Sequence, residues 1–234
     1  MEEFLKETEY LDFNNSKIRS TVNDLVKNVN DNKEKALLVH DFIRDTILFG
    51  FNKKFYDMKA SEVLEAKKGF CNNKSTLFAS MLRAAGIPAR IVFVDISKHI
   101  LDNIVDTRTE YVDHSYTEVF LDNKWIKVDS YVVDTQLFNN SMKKLSKENK
   151  ILGYGIHKDA TNIWDGEHDA FSQYVLADAK NISTKEYGVF GDVKEFYQKA
   201  PNTWNKANTI QNLVFILFSG AFSKKVEKIR NENL

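Results

Sequence analysis

Hydrophobic positions along this chain recur first at helical spacing and then at strand spacing. Ile18, Val22, Leu25, Val26 and Val29 fall at helical intervals in the opening segment. A stronger stripe follows at Ala36, Leu37, His40, Ile43 and Ile47, with Asp31 and Glu34 ahead of it as a capping box. Ser61 to Lys67 predicts a short helix, with Gly69 placed to end it. Cys71 to Ala85 predicts a longer one, with Leu77, Phe78, Met81 and Leu82 on one face and Gly86 and Pro88 as stops. The period then changes. Ala89 to Ile96 is β-branched and aromatic, hence a strand. Lys98 to Asp113 is polar and reads as a loop with room for an edge strand. His114 to Leu121 and Lys124 to Tyr131 predict two strands joined at Asp122-Asn123. Past Asp134 the pattern weakens. Asn139 to Lys150 is polar and basic, a surface loop or short helix, and glycines then punctuate short segments until helical spacing resumes near Asp192. This order, helices first, then a helix into strands, then a mixed tail, predicts an α+β fold.

Composition narrows the classes. A chain of 234 residues predicts one domain over 1–234. Lys+Arg and Asp+Glu number 33 each, so no global field exists to hold nucleic acid. There is one cysteine, which excludes an internal disulfide. Met1 to Tyr10 is acidic, the wrong sign for a secretory leader. The longest apolar run, Leu213 to Phe222, is shorter than the roughly 20 residues of a spanning helix. The cytoplasm is therefore the expected address, and no membrane span is expected.

The chemistry concentrates in the middle third. Gly69-Phe70-Cys71 opens an amphipathic helix, so the thiol sits in a first turn whose dipole and unpaired N–H groups favour thiolate. A lone cysteine in that place can equally be a small buried hydrophobe. The hairpin adds weight to the first reading. With Asp122-Asn123 as a two-residue turn, Leu121 faces Lys124, Phe120 faces Trp125, Glu118 faces Lys127, Tyr116 faces Asp129 and His114 faces Tyr131. The pairs are chemically sensible: aromatic on aromatic, opposite charges, and a tyrosine that can donate to a carboxylate. Thr117, Val119, Ile126 and Val128 take the opposite, core-facing side. His114 and Asp129 then share one face, diagonal to one another, and a register slipped by one residue would separate them. A thiol at a helix start with a His–Asp pair on adjacent strands is the equipment for nucleophilic acyl transfer. The Cys71 N–H is a candidate oxyanion donor, and Asn72, Tyr56 and Tyr116 are further oxyanion or cleft candidates.

Three blocks in this order resemble the transglutaminase-like superfamily. They are Gly69-Phe70-Cys71-Asn72-Asn73-Lys74-Ser75, the passage Leu82-Arg83-Ala84-Ala85-Gly86-Ile87-Pro88-Ala89-Arg90, and His114-Ser115-Tyr116-Thr117-Glu118-Val119 followed by Trp125-Ile126-Lys127-Val128-Asp129. The resemblance implies a papain-like core over about 31–135, with a nucleophile helix packed on an antiparallel sheet. Helical additions flank it, and 136–234 is then a family-specific extension that could wall the cleft. It further implies Cys71 as nucleophile, His114 as base and Asp129 as the orienting acid, acting through a thioester and without cofactor or metal. Phe70 and Asn72 stand where animal transglutaminases carry Gln and Trp, which weakens an expectation of protein crosslinking; hydrolysis of a peptide, protein or other amide is expected ahead of transamidation because water needs no second substrate pocket. The competing expectation is a non-catalytic binding module on the same fold.

Other polar groups read as structural. His40 lies on an apolar helix face and reads as a core histidine, and His99 as solvated surface. The stretch from His157 to Asp169 mixes His and carboxylates, but its spacing suits a polar loop anchored by Trp164 better than a metal site. Gly153-Tyr154-Gly155 suggests a shaped loop, a candidate cleft wall. Lys143, Lys144, Lys147 and Lys150 read as a solvated face, and Phe215, Leu217, Phe218 and Phe222 as core.

Overall fold

In a computed structural model of the chain, the described residues are 1–107, 109–175, 182–199 and 209–232. Side chains are described for all of these except 182–184 and 209–215. The elements run α1 (Ser16–Leu25), α2 (Asn32–Thr46), β1 (Leu48–Phe49), α3 (Ala60–Ala66), β2 (Lys68–Gly69), α4 (Cys71–Ala84), β3 (Ala89–Ser97), β4 (Tyr111–Leu121), β5 (Lys124–Val128), α5 (Thr135–Glu148), β6 (Leu152–Gly153), β7 (Ile156–His157), β8 (Ile182–Phe190), α6 (Val193–Lys199) and α7 (Thr209–Arg230). The fold is α+β. Its main sheet is antiparallel, in the order β5-β4-β3-β8.

Local chemistry accounts for most of these boundaries. Asp31 caps α2 by accepting from the Glu34 N–H at 2.8 Å. The β4–β5 turn places Asp122 and Asn123 at φ +47° and +61°, the left-handed pair that a two-residue hairpin needs. The register then pairs Leu121 with Lys124, Phe120 with Trp125 and Glu118 with Lys127, as the hairpin reading expects. The Phe120 and Trp125 rings meet at 5.2 Å.

Several expectations need correction. Lys67, at φ +49°, ends α3 in place of Gly69. Gly69 pairs with Phe49 in a short parallel ladder, and a Cβ there would lie 2.7 Å from Asn73 Cβ, so close approach to the helix start is what requires the glycine. The β4–β5 ladder stops at Thr117–Val128, so the pairs Tyr116–Asp129 and His114–Tyr131 do not form. The Asp129 and Ser130 N–H groups turn instead to the Ala170 carbonyl. Glu118 finds its charge partner in Arg90 on β3, at 2.5 Å, rather than in Lys127. The polar stretch from Asn139 belongs to α5, which Asp134 caps by accepting from the Leu137 N–H. The strand β8 was hidden by its polar residues Lys185 and Glu186 and by Gly188.

The sheet is buried on both faces. Val119, Ile126 and Val128 join α4 residues Leu77, Phe78, Met81 and Leu82 in the larger core. Tyr116 lies in a second cluster with Val92, Val94, Phe171 and Tyr174. That second layer is made by a loop, which is why hydrophobic periodicity did not foretell it. Leu217 and Phe218 are exposed, against expectation, while Phe222 packs on the core; the Phe215 side chain lies outside the described residues. Among the described residues no helix is long and apolar enough to cross a membrane.

The C-terminal helix is fastened by a buried ion pair. Arg230 donates from Nε to Asp134 Oδ1 at 2.9 Å and from its terminal nitrogen to Oδ2 at 2.8 Å, and also to the Phe49 carbonyl at 2.7 Å. Burial alone would raise the Asp134 pKa, but the guanidinium holds it below the usual carboxylate value.

Candidate active site

Cys71 is the first residue of α4, where backbone N–H groups have no intrahelical partner. Asn73 accepts from the Phe70 N–H at 3.4 Å and so closes the helix entry. Behind the thiol, Ser75 ties the helix to the sheet. Its hydroxyl bonds the Tyr131 hydroxyl at 2.8 Å and receives the Ser115 hydroxyl at 2.9 Å, and Thr117 meets the same tyrosine at 2.8 Å. This buried network fixes α4 against β4 and sets the height of Cys71 relative to His114.

His114 is wholly buried on β4. Its Nε2 bonds Asp129 Oδ2 at 2.8 Å. Among the described residues Nδ1 has no partner of good hydrogen-bond geometry, and the Cys71 sulfur is the charged neighbour that acts most strongly on the ring. Burial would lower the His114 pKa. The charge on Cys71, together with the Asp129 hydrogen bond, outweighs it and lifts the value to about 10. This histidine favours its proton when the thiol has lost one.

Asp129 sits just past the end of β5 and is also wholly buried. Its carboxylate is held by the backbone of 172–174. Oδ1 accepts from the N–H groups of Ser172 and Gln173, the latter at 3.2 Å, and from the Ser172 hydroxyl at 3.1 Å; Oδ2 accepts from Tyr174 N–H at 2.9 Å. His40 stays a core histidine, as its place on an apolar face suggested. Its Nε2 meets the Ser130 hydroxyl at 2.8 Å and burial lowers its pKa, so it buttresses the residue beside Asp129 in neutral form.

The thiol and the imidazole open on one small cleft of about 30 Å³, partly continuous with solvent. Phe49, Phe51, Phe55, Phe70, Ile96, Ile100, Leu101 and Val112 form its apolar walls, and Asp113 and Gln173 join Cys71 and His114. Cys71 is only 7% exposed, so access to the sulfur is narrow. Of the secondary candidates, Asn72 does reach the thiol, with Oδ1 3.5 Å from Sγ. Its amide is engaged, donating to Asp113 Oδ2 at 3.1 Å and the Tyr197 hydroxyl at 2.6 Å, which in turn donates to Asp113 at 2.6 Å. Tyr56 stacks on Tyr197 with centroids 3.7 Å apart, at the edge of this group. Tyr116 is not a cleft residue: it points into the second core against Tyr174, and its hydroxyl is buried with no hydrogen-bond partner among the described residues. Asp113, Gln173 and Tyr197 were missed. Asp113 adjoins His114 in sequence, which was a usable signal; Gln173 and Tyr197 carried none.

The remaining polar clusters lie elsewhere. His99 is exposed and paired with Asp102. Trp164 is buried and donates to the His168 carbonyl, anchoring its loop as expected, while His168 bonds Asp165 at 2.7 Å. Residues 153–155 all have positive φ, and Gly155 backs Phe49, a wall residue of the cleft. Among the described residues no cluster of His, Cys, Asp and Glu has the form of a metal site.

Lys74 lies one helical turn beyond the thiol. It is fully buried, and its Nζ donates to the Arg44 carbonyl at 3.3 Å. Desolvation lowers its pKa to about 7 from 10.5. The unfolded chain therefore binds more protons than the folded one between pH 7 and 10.5, and this group's contribution to stability grows with pH across that window. His114 works in the opposite sense: its contribution is full below pH 6.5 and is lost as pH rises through about 10. Each effect is on the order of 5 kcal/mol. Lys74→Met is expected to remove the rising limb, so that urea denaturation shows stability falling between pH 7 and 10 where the wild type stays level. Parallel pH curves for the two proteins would refute this assignment.

Comparison with known proteins places this geometry in context. Residues 19–130, which include Cys71, His114 and Asp129, match the family model of the transglutaminase-like superfamily. No curated protein matches the chain. Among solved structures it is similar to a "putative cysteine protease" from Cytophaga hutchinsonii, with 21% identity, a TM-score of 0.45, and coverage of 56% of this chain and 42% of that one. It is also similar to a "putative protease" from Parabacteroides distasonis, with 19% identity, a TM-score of 0.38, and coverage of 55% and 25%. The chain thus spans less than half the length of either.

Proposed function

We propose that this chain, a member of the transglutaminase-like superfamily through residues 19–130, hydrolyses an amide bond by thiol-dependent acyl transfer. The observation that carries the reading is the buried Asp129–His114 hydrogen bond, with Cys71 the charged neighbour that acts most strongly on the imidazole. In this scheme His114 takes the Cys71 proton. The thiolate attacks the amide carbonyl to give a tetrahedral oxyanion, and the Cys71 N–H at the helix start supplies one hydrogen bond to it. As the C–N bond breaks, His114 returns the proton to the leaving amine, and a thioester remains on Cys71. Water, deprotonated by His114, then attacks the thioester; the acid leaves and the thiol is restored. Asp129 holds the ring so that Nδ1 faces the sulfur, and it stabilises the imidazolium. Water is favoured over an amine as second substrate because it needs no pocket of its own, and the cleft entrance is narrow.

The test is to mix the protein with a peptide amide library and read intact mass after rapid acid quench. An adduct equal to the acyl fragment on Cys71, absent from Cys71→Ala, is expected, together with release of the free amine. Absence of adduct and of amine release across the library would overturn the enzyme reading in favour of a binding module.

A further inference from the structure

Beside the thiol lies a buried polar group that the acyl-transfer steps do not use. Asn72, Asp113 and Tyr197 meet within hydrogen-bond distance of one another, and none is more than 5% exposed. They come from three elements: the nucleophile helix α4, the strand β4 one residue before His114, and α6. Asn72 donates from Nδ2 to Asp113 Oδ2 at 3.1 Å and to the Tyr197 hydroxyl at 2.6 Å. That hydroxyl donates its own proton to the same Oδ2 at 2.6 Å. Asp95, the partner of Asp113 across the β3–β4 ladder, and Tyr56 also lie within electrostatic reach of Asp113, and neither carries a positive charge to compete with the amide for it.

The direction of the Asn72 amide follows from these bonds. A carboxylate oxygen only accepts, so the NH2 end of the amide must face Asp113. The other end, Oδ1, is thereby aimed at Cys71, 3.5 Å from Sγ. An amide oxygen can accept from an S–H, but it has nothing to donate to a thiolate. Were the amide reversed, its NH2 would stabilise the thiolate; as held, its negative end opposes that charge. His114 is the other acceptor that acts on the sulfur, and its Nδ1 has no hydrogen-bond partner among the described residues. The thiol proton thus lies between two competing acceptors: Asn72 Oδ1 keeps it on the sulfur, and His114 removes it.

We infer that Asn72 restrains the nucleophile: its amide oxygen accepts from the Cys71 S–H at rest and opposes thiolate formation, and Asp113 and Tyr197 are positioning residues that keep the amide from turning over. The same bonds exclude Asn72 as an oxyanion donor, since both of its amide protons are taken. Tyr197 lies outside the family match over residues 19–130, so the C-terminal segment acts on the nucleophile through one hydroxyl. The inference rests on Cys71 being the nucleophile, as proposed above.

The experiment follows alkylation of the full chain by iodoacetamide against pH in the wild type, His114→Ala, Asn72→Ala, Asp113→Asn and the double variant Asn72→Ala/Asp113→Asn. The midpoint of the profile is the readout, because a shorter side chain also widens access and raises the rate at every pH alike. Asn72→Ala is expected to move the midpoint to lower pH, so that labelling below it rises about 3–10-fold. Asp113→Asn lets the Asn72 amide turn over and is expected to move the midpoint the same way. The double variant is expected to go no further than Asn72→Ala, since Asp113 acts through the amide. Tyr197→Phe keeps the Asp113 charge and serves where Asp113→Asn folds poorly; it is expected to move the midpoint part of the way, and no movement there would strike Tyr197 from the positioning role. A midpoint unmoved or raised in Asn72→Ala, while His114→Ala shifts it, would overturn the restraint and leave the nucleophile standing. An Asp113→Asn shift that persists undiminished in the double variant would overturn the positioning role, because the charge would then act on the sulfur directly. An ordinary thiol midpoint in the wild type and in every variant would overturn both the restraint and the nucleophile.

Discussion

Replacing Asp129 with alanine is expected to cost about 3–6 kcal/mol of stability, because several buried donors lose their acceptor together. The Ser172, Gln173 and Tyr174 N–H groups and His114 Nε2 all turn to this one carboxylate, which is fully buried. Against a typical total of about 5–15 kcal/mol, such a loss brings the protein close to unfolding. Urea denaturation measures it directly. Asp129→Asn separates the structural role from the chemical one. Its carbonyl oxygen can still accept from Ser172 and Gln173, so more stability survives. Its NH2 group faces His114, however, and makes Nε2 the acceptor, which places the ring proton on Nδ1 where it opposes the sulfur. A hydrolytic rate reduced about 10²–10⁴-fold, with the fold retained, is expected from the wrong tautomer. An asparagine variant as active as the wild type would remove Asp129 from the mechanism.

His114→Ala carries the second large effect. It removes the group that takes the thiol proton and serves the leaving amine, so the rate of amide hydrolysis is expected to fall by about 10²–10⁴-fold. The loss belongs mainly in kcat, because the cleft walls are left in place. Steady-state kinetics on a peptide amide would show it. A rate changed only a few-fold would mean that the histidine serves the fold alone.

Much of this site was legible in the sequence because short-range rules govern it. Gly69-Phe70-Cys71 reads as a helix entry, and the thiol is indeed the first residue of α4. Asp122-Asn123 reads as a two-residue turn, and the register it sets holds from Leu121–Lys124 to Thr117–Val128; His114 and Asp129 lie beyond that ladder and meet through their side chains. The parts that were not legible depend on partners distant in sequence. Asp129 was expected to be paired across the ladder with Tyr116, yet its acceptors are filled by backbone N–H groups of 172–174, a segment with no periodicity to reveal it. Tyr116 could not be assigned to a second core without knowing that Phe171 and Tyr174 cover that face. The strand β8 reads as polar and glycine-broken because it lies at the edge of the main sheet, and Val189 is exposed. Leu217 and Phe218 show the converse, where an apolar run predicted burial that the fold does not provide.

The central claim is that Cys71 and His114 form a thiolate–imidazolium pair, and the chain has one thiol with which to test it. The measurement is the rate of Cys71 alkylation by iodoacetamide as a function of pH, in the wild type and in His114→Ala. The account predicts labelling that stays fast well below the ordinary thiol value of about 8.5, and a profile that shifts upward when the histidine is removed. Labelling that follows an ordinary thiol titration in both proteins, or that occurs only on unfolding, would contradict it and make Cys71 a structural residue of the core.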